Sequence, residues 1–320
     1  MTGNVTSTPA IFRAIVFLRI LGARGVDGTN ITRAATHRHD TGAAAMTNLI
    51  SAAALADSIG QENLVLVDCR FDVADPERGP RGYAEGHIPG AQFAHLDRDL
   101  SLPVASHGGR HPLPGIDRMA ALFGRLGIES GRTRVIAYDD AGGSYAARLW
   151  WMLRYLGHRR VQLLDGGWQA WLASDVRVDT TVPQVRPAVF EPAVQEGMLA
   201  GMVEVRALGP DATLIDSRAP ERYRGELEPI DAKGGHIPGA VNHPWMAALG
   251  PDLRLLPPER LRESFGELSD RPVVYCGSGV TACINVLAIE EAGYGMPRLY
   301  AGSWSDWISW PENPIATGPA

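Results

Sequence analysis

The stretch LVLVDCRF (64–71) returns as TLIDSRAP (213–220), and EGHIPGA (85–91) returns as GGHIPGA (234–240). Outward from these, VIAYDDAGGSYAA (135–147) matches VVYCGSGVTA (273–282), and LLDGGWQAW (163–171) matches LYAGSWSDW (299–307). Four echoes in one order mean a duplicated domain. Gly143 to Gly279, Ala146 to Ala282, Gly157 to Gly293, Trp168 to Trp304 and Trp171 to Trp307 are all 136 residues apart, whereas Tyr138 to Tyr275 is 137 apart. One half therefore carries an extra residue in the loop that follows this tyrosine.

Each half alternates two kinds of segment. LVLVD, RVIAY and VQLLD, then TLID, PVVYC and PRLY, are short apolar runs of the kind buried in a parallel sheet. Between them lie helical stretches, Tyr145 to Leu156 and Val280 to Ala292, each stopped by a glycine, Gly157 or Gly293. The pattern predicts α/β architecture: two tandem domains, each an open parallel sheet flanked by helices. The domains are expected at 46–179 and 195–320, joined by a linker over 180–194 that holds Pro183, Pro187 and Pro192. Residues 1–45 read as a separate extension with five arginines. It is a start assigned too early, an Arg-rich organelle-targeting segment or a disordered, membrane-touching arm.

Composition narrows the function. The 320 residues carry a formal net charge of −6, and the 30 basic residues include one lysine, Lys233. Nucleic acid and anionic membrane are excluded as main partners. The three cysteines, Cys69, Cys276 and Cys283, form neither a disulfide framework nor a metal-binding spacing. A reducing compartment is expected, cytoplasmic, or mitochondrial if residues 1–45 are a targeting segment. No Gly-rich phosphate fingerprint follows any strand, so a dinucleotide fold is unsupported.

Cys276 stands directly after a buried strand and before a helix, where an open α/β sheet places its ligands. Two glycines in the following loop let backbone N–H groups converge, and the helix N-terminus adds partial positive charge. Such surroundings favour a thiolate nucleophile; the alternative is a small buried hydrophobe. In the first half Asp139 or Asp140 occupies this place, so at most one half performs thiol chemistry. Cys283, about two helical turns further on, and Cys69 read as core, as do Trp168, Trp171, Trp304 and Trp307.

The two GHIPGA segments, the triplet Asp216-Ser217-Arg218 and the loop Cys-Gly-Ser-Gly-Val-Thr-Ala (276–282) resemble the tandem-domain rhodanese family of sulfurtransferases, from about Asn48 to Trp310. The loop is similar to that of members using 3-mercaptopyruvate; members using thiosulfate typically carry Arg-Lys after the cysteine. The resemblance implies a five-stranded parallel sheet per domain, an inactive first domain and an active second one. Cys276 would attack the donor's terminal sulfur, hold it as a persulfide and pass it to cyanide or a thiol, for which a thioredoxin-like protein would serve. No metal or cofactor is needed. The amides of Gly277, Ser278, Gly279, Val280 and Thr281 would cradle the sulfur. Arg222 would grip the donor's anionic end, with Arg224 and Arg218 beside it, Arg218 chiefly bracing the loop through Asp216. His87, with Asp75 or Glu77 behind it, would relay a proton to Ser278, although the repeat of this histidine as His236 equally fits a backbone-satisfying role. One departure stands out: the mercaptopyruvate pattern has Glu-Pro-Arg downstream, and here Glu228-Pro229 is followed by Ile230, with Lys233 nearby. Thiosulfate therefore stays open as the donor.

Two other functions compete. A phosphatase of this fold needs Cys-x5-Arg, but the sixth residue after Cys276 is Ala282. A non-catalytic persulfide carrier would show a degraded loop, and this loop is intact.

Overall fold

In the first half of the chain the five strands are β1 (Leu49–Ile50), β2 (Leu64–Asp68), β3 (Ala91–Phe93), β4 (Arg134–Tyr138) and β5 (Val161–Leu164). They form one sheet in the order β1-β5-β4-β2-β3, parallel at every pairing. The second half repeats this with β6 (Leu214–Asp216), β7 (Ala240–Asn242), β8 (Val273–Tyr275) and β9 (Arg298–Leu299), ordered β7-β6-β8-β9 and again parallel. The structure is a computed structural model that describes residues 47–174 and 176–319. The arginine-rich extension over 1–45 lies outside the described residues.

The second sheet falls one strand short of the expected five. At the place of β1 it has a single parallel bridge, Leu199 to Leu299. The chain then turns into a helix at Met202–Arg206 capped by Gly201, and the partner strand β9 ends at Leu299, so the pairing stops after one residue. In the first half β1 is itself only two residues before Ser51 caps the next helix, its hydroxyl accepting from the Ala54 N–H at 3.2 Å.

Side chains alternate across each strand. Leu66, Ile136 and Tyr138 face one core, and Leu214, Val273 and Tyr275 its counterpart in the second half. The opposite faces, with Val67, Val135 and Ala137 and with Ile215 and Val274, join one continuous core shared by both halves. Its centre is the pair of equivalent helices Ala146–Tyr155 and Ala282–Glu291, which pack on each other. The glycines after them, Gly157 and Gly293, adopt φ of +85°, a conformation that stops a helix cheaply only in glycine. Arg154 and Glu290, 136 residues apart, pair across this seam at 2.6 Å. The alternation along β8 turns Cys276 towards the shared core, where the two halves meet.

Candidate active site

Both halves use the same frame at the ends of their central strands. Arg70 chelates Asp68 and Arg218 chelates Asp216, each with an Nη2 to Oδ2 distance of 2.6 Å. Each guanidinium also donates to a carbonyl before the His-Ile-Pro-Gly turn, Gly86 or Gly235, and lies over a tryptophan, Trp168 or Trp304, at 4.5 and 4.6 Å. Arg218 is thus a buried brace, remote in role from any donor. Arg224 also falls outside the cleft, paired with Glu226 at the surface.

The loops after β4 and β8 sit on this frame. The N–H of Trp168 donates to the Asp139 carbonyl at 2.8 Å and that of Trp304 to the Cys276 carbonyl at 3.0 Å, which aligns Asp139 with Cys276. Both carboxylate oxygens of Asp139 are filled, Oδ1 by the N–H groups of Ala141 and Gly143 and Oδ2 by those of Tyr145 and Ala146, all at 2.8 Å. Burial pushes this carboxyl above its ordinary range while the four donors pull it down. In the second half the N–H groups of residues 277–281 find no acceptor among the described residues. Gly279 makes the bend at φ +73°, and a Cβ there would sit 2.1 Å from the Ala301 carbonyl oxygen. Cys276 opens onto a cleft of ≈ 90 Å³ together with Gly277, Ser278, Val280, Thr281 and Arg222.

The other wall comes from the first domain. The segment around 107–111 lies on the second domain: the Gly108 N–H donates to Asp306 Oδ1 at 2.7 Å and the Arg110 N–H to Ser305 Oγ at 3.0 Å. This seats Arg110 and His111 in the cleft. His111 Nδ1 lies 2.7 Å from Ser278 Oγ, and its Nε2 lies 3.3 Å from Asp97 Oδ1. The carboxylate selects the tautomer with its proton on Nε2, so Nδ1 accepts from the Ser278 hydroxyl. Burial lowers the His111 pKa below 6.5, which keeps the ring neutral at neutral pH, while the hydrogen bond from His111 lowers that of Asp97.

This geometry corrects the expected relay. His87 is fully buried on a different side of the first domain, stacked on Tyr83 at 4.0 Å with its nitrogens 2.8 Å from the Tyr83 carbonyl and 3.2 Å from that of Thr181. His236 repeats the arrangement, 2.8 Å from the Tyr223 carbonyl. These histidines satisfy backbone, so both halves keep them irrespective of the thiol. Asp75 is exposed and paired with Arg81, and Glu77 with Arg98. The histidine that reaches Ser278 is His111, and the carboxylate behind it is Asp97.

A second arginine, from the first domain, meets Arg222 at the cleft. Arg222 Nη2 and Arg110 Nε both lie 2.8 Å from the Asp231 carboxylate, and Arg222 is held further by Glu228. A Cβ on Gly277 would meet Arg110 Nη2 at 2.6 Å and Arg222 Nη2 at 3.5 Å, so both guanidiniums hang over the residue beside the thiol. Sequence reading missed Asp97, Arg110 and His111. The signal was available: HGGRH (107–111) is a polar cluster in the half without the thiol, with no echo in the other half. Cys69 and Cys283 are both buried, and burial pushes both thiols up, that of Cys283 to about 12.

Comparison with known proteins agrees with this construction. The profile of the rhodanese-like domain matches residues 51–174 and 203–309. A protein of Pseudomonas aeruginosa described as a probable 3-mercaptopyruvate sulfurtransferase is 46% identical over 279 residues, 84% of this chain and 98% of that protein. A thiosulfate sulfurtransferase of Azotobacter vinelandii is 36% identical over 251 residues, 73% of this chain and 86% of that protein. The solved structure of 3-mercaptopyruvate sulfurtransferase from Leishmania major superposes with a TM-score of 0.71 at 31% identity, covering 81% of this chain and 73% of that one. Two matched domains, two sheets on one frame and the identity with these sulfurtransferases place this chain in the tandem-domain rhodanese family of sulfurtransferases.

Proposed function

We propose that this protein moves the terminal sulfur of 3-mercaptopyruvate to a thiol acceptor, or to cyanide, through a persulfide on Cys276. The observation that carries this reading is the 2.7 Å contact between Ser278 and His111, with Asp97 behind it, on a compact loop free of basic side chains. The donor's carboxylate lies between Arg110 and Arg222. The Cys276 thiolate attacks the donor sulfur; an S–S bond forms, the C3–S bond breaks, and its electron pair leaves on pyruvate as the enolate. The donor's thiol proton passes to Ser278 Oγ as the serine's own proton moves to His111 Nδ1, with Asp97 behind the ring, and its return through the serine converts the enolate to pyruvate. An acceptor thiol then gives its proton to the same serine as its sulfur attacks the outer sulfur; the S–S bond to Cys276 breaks, Cys276 leaves as thiolate, and the proton ends on the acceptor's new persulfide. The free N–H groups of 277–281 hold the negative charge in both steps, as their counterparts hold the Asp139 carboxylate.

Thiosulfate is the second reading, supported by two guanidiniums converging where a sulfonate would sit. Steady-state kinetics with both donors separates the two. We expect 3-mercaptopyruvate to have the higher kcat/KM, with a high KM because both arginines already pair with carboxylates; a higher kcat/KM for thiosulfate would reverse the assignment. A thioredoxin-like protein is our choice of acceptor. The cytoplasm is our choice of compartment, in keeping with three free, buried cysteines. No helix of the described residues is long and apolar enough to cross a membrane.

A further inference from the structure

Among the described residues three arginines are almost wholly buried. Arg70 and Arg218 each chelate an aspartate, but Arg148, with 0% exposure, has no carboxylate partner among the described residues. It projects from the first-domain helix Ala146–Tyr155 and donates through Nη1 to the Gly279 carbonyl at 3.0 Å and through Nη2 to the His111 carbonyl at 3.3 Å. Those two carbonyls belong to the thiol loop and to the loop bearing the relay histidine. Its Nε has no partner. A guanidinium stays charged in proteins, and a buried charge without an opposite one is strongly unfavourable.

The repeat shows that this arginine is tied to the thiol. Its equivalent 136 residues on is Ile284, whose Cδ1 lies 3.2 Å from where a Cβ on Gly143 would be. Each helix thus reaches the opposite domain's loop at the equivalent glycine. The loop that already holds a carboxylate receives an isoleucine, and the loop that holds a thiol receives a cation.

We propose that Arg148 is a positioning residue for Cys276: it ties the thiol loop to the His111 loop and supplies the unbalanced positive charge that holds the sulfur as an anion. The other groups facing the sulfur do not supply that charge. Arg110 and Arg222 are cancelled by Asp231 and Glu228, and His111 is kept neutral by burial. Cys283, on the helix of the thiol loop, remains a thiol, pushed up to about 12 by burial. Among the described residues Arg148 has no carboxylate to balance it, so the charge it lacks is the one the persulfide cycle places on Cys276, whose loop it holds at the Gly279 carbonyl.

The inference rests on Cys276 as the nucleophile but not on any donor, so its test uses none. Alkylation of Cys276 by iodoacetamide is followed against pH in the full chain by peptide mass mapping, for wild type, Arg148→Lys and Arg148→Gln. The expected result is a midpoint raised by about one pH unit or more in Arg148→Gln, with alkylation about tenfold slower at pH 7, and a midpoint within about half a unit of wild type in Arg148→Lys. An unchanged midpoint in Arg148→Gln, or an equal rise in both variants, overturns it. Should Arg148→Gln not fold, Arg148→Met, neutral and better suited to a buried site, takes its place against Arg148→Lys with the same two outcomes. Failure of both donors in turnover would count against the proposed reaction and leave this measurement standing.

Discussion

The loops after β4 and β8 are two versions of one anion cradle, and they differ in what fills them. In the first, Asp139 brings its own carboxylate and receives four N–H bonds. In the second, the shorter loop leaves its N–H groups without acceptors beside Cys276. The surroundings diverge in the same sense. Gly142 stands in the repeat where the second half has Ser278, Gly82 precedes Tyr83 where Arg222 precedes Tyr223, and Ile284 stands where the first half has Arg148. The fold therefore supplies a place for negative charge in both halves, and chemistry requires a thiol there plus side chains from the opposite domain. The first domain carries a carboxylate at the place of the thiol and brings Arg110, His111 and Asp97 to the cleft beside Cys276.

The comparison breaks first at the thiol. Cys276→Ser removes sulfur transfer with every donor and keeps the fold, since the hydroxyl is of similar size but a far weaker nucleophile at neutral pH. Adding Asp139→Cys to that variant restores no turnover, because that loop has neither the serine nor the arginine; measurable activity in the double variant would mean that the cradle alone suffices. His111→Gln lowers kcat by about a hundredfold or more, whereas His87→Gln leaves kcat near wild type and lowers the melting temperature. The ring must be neutral to accept from Ser278, and burial holds its pKa below 6.5. The wild-type kcat profile therefore falls on the acid side, below the ordinary histidine range, as the ring protonates, a limb that His111→Gln lacks.

Asp139→Ala strands buried N–H groups and costs about 3 kcal/mol of folding stability, read from denaturant unfolding. A loss below about 1 kcal/mol would deny that the carboxylate fills the cradle. Arg222→Ala costs about 2 kcal/mol in kcat/KM for the donor, roughly thirtyfold. The exposed Arg224→Ala changes it little; equal losses at both positions would remove Arg222 from the donor seat.

What the sequence disclosed follows the range of each interaction. The duplication, the parallel sheets, the helix-stopping glycines and the Cys276 loop are local patterns, each written twice or within eight residues. Arg222 was legible for the same reason, lying in a short segment next to the repeated turn. The Ser278, His111 and Asp97 set was not, because the packing that joins the halves carries no periodicity along the chain. His87 drew attention through its motif, yet a residue repeated in a half without the thiol serves what both halves share, here the Tyr83 carbonyl. The fifth strand of the second sheet was expected from the family and shrank to one bridge, because β9 ends at Leu299, one residue short of the place where β5 still pairs through Leu164.

The central claim is that Cys276 carries the transferred sulfur. Incubation of the full chain with one equivalent of 3-mercaptopyruvate, followed by alkylation-free peptide mass mapping, reads it directly. The account predicts a gain of about 32 Da, one sulfur atom, on the peptide containing Cys276, removed by an added thiol or cyanide. The same gain on Cys69 or Cys283, or none on Cys276 while pyruvate is released, would contradict it.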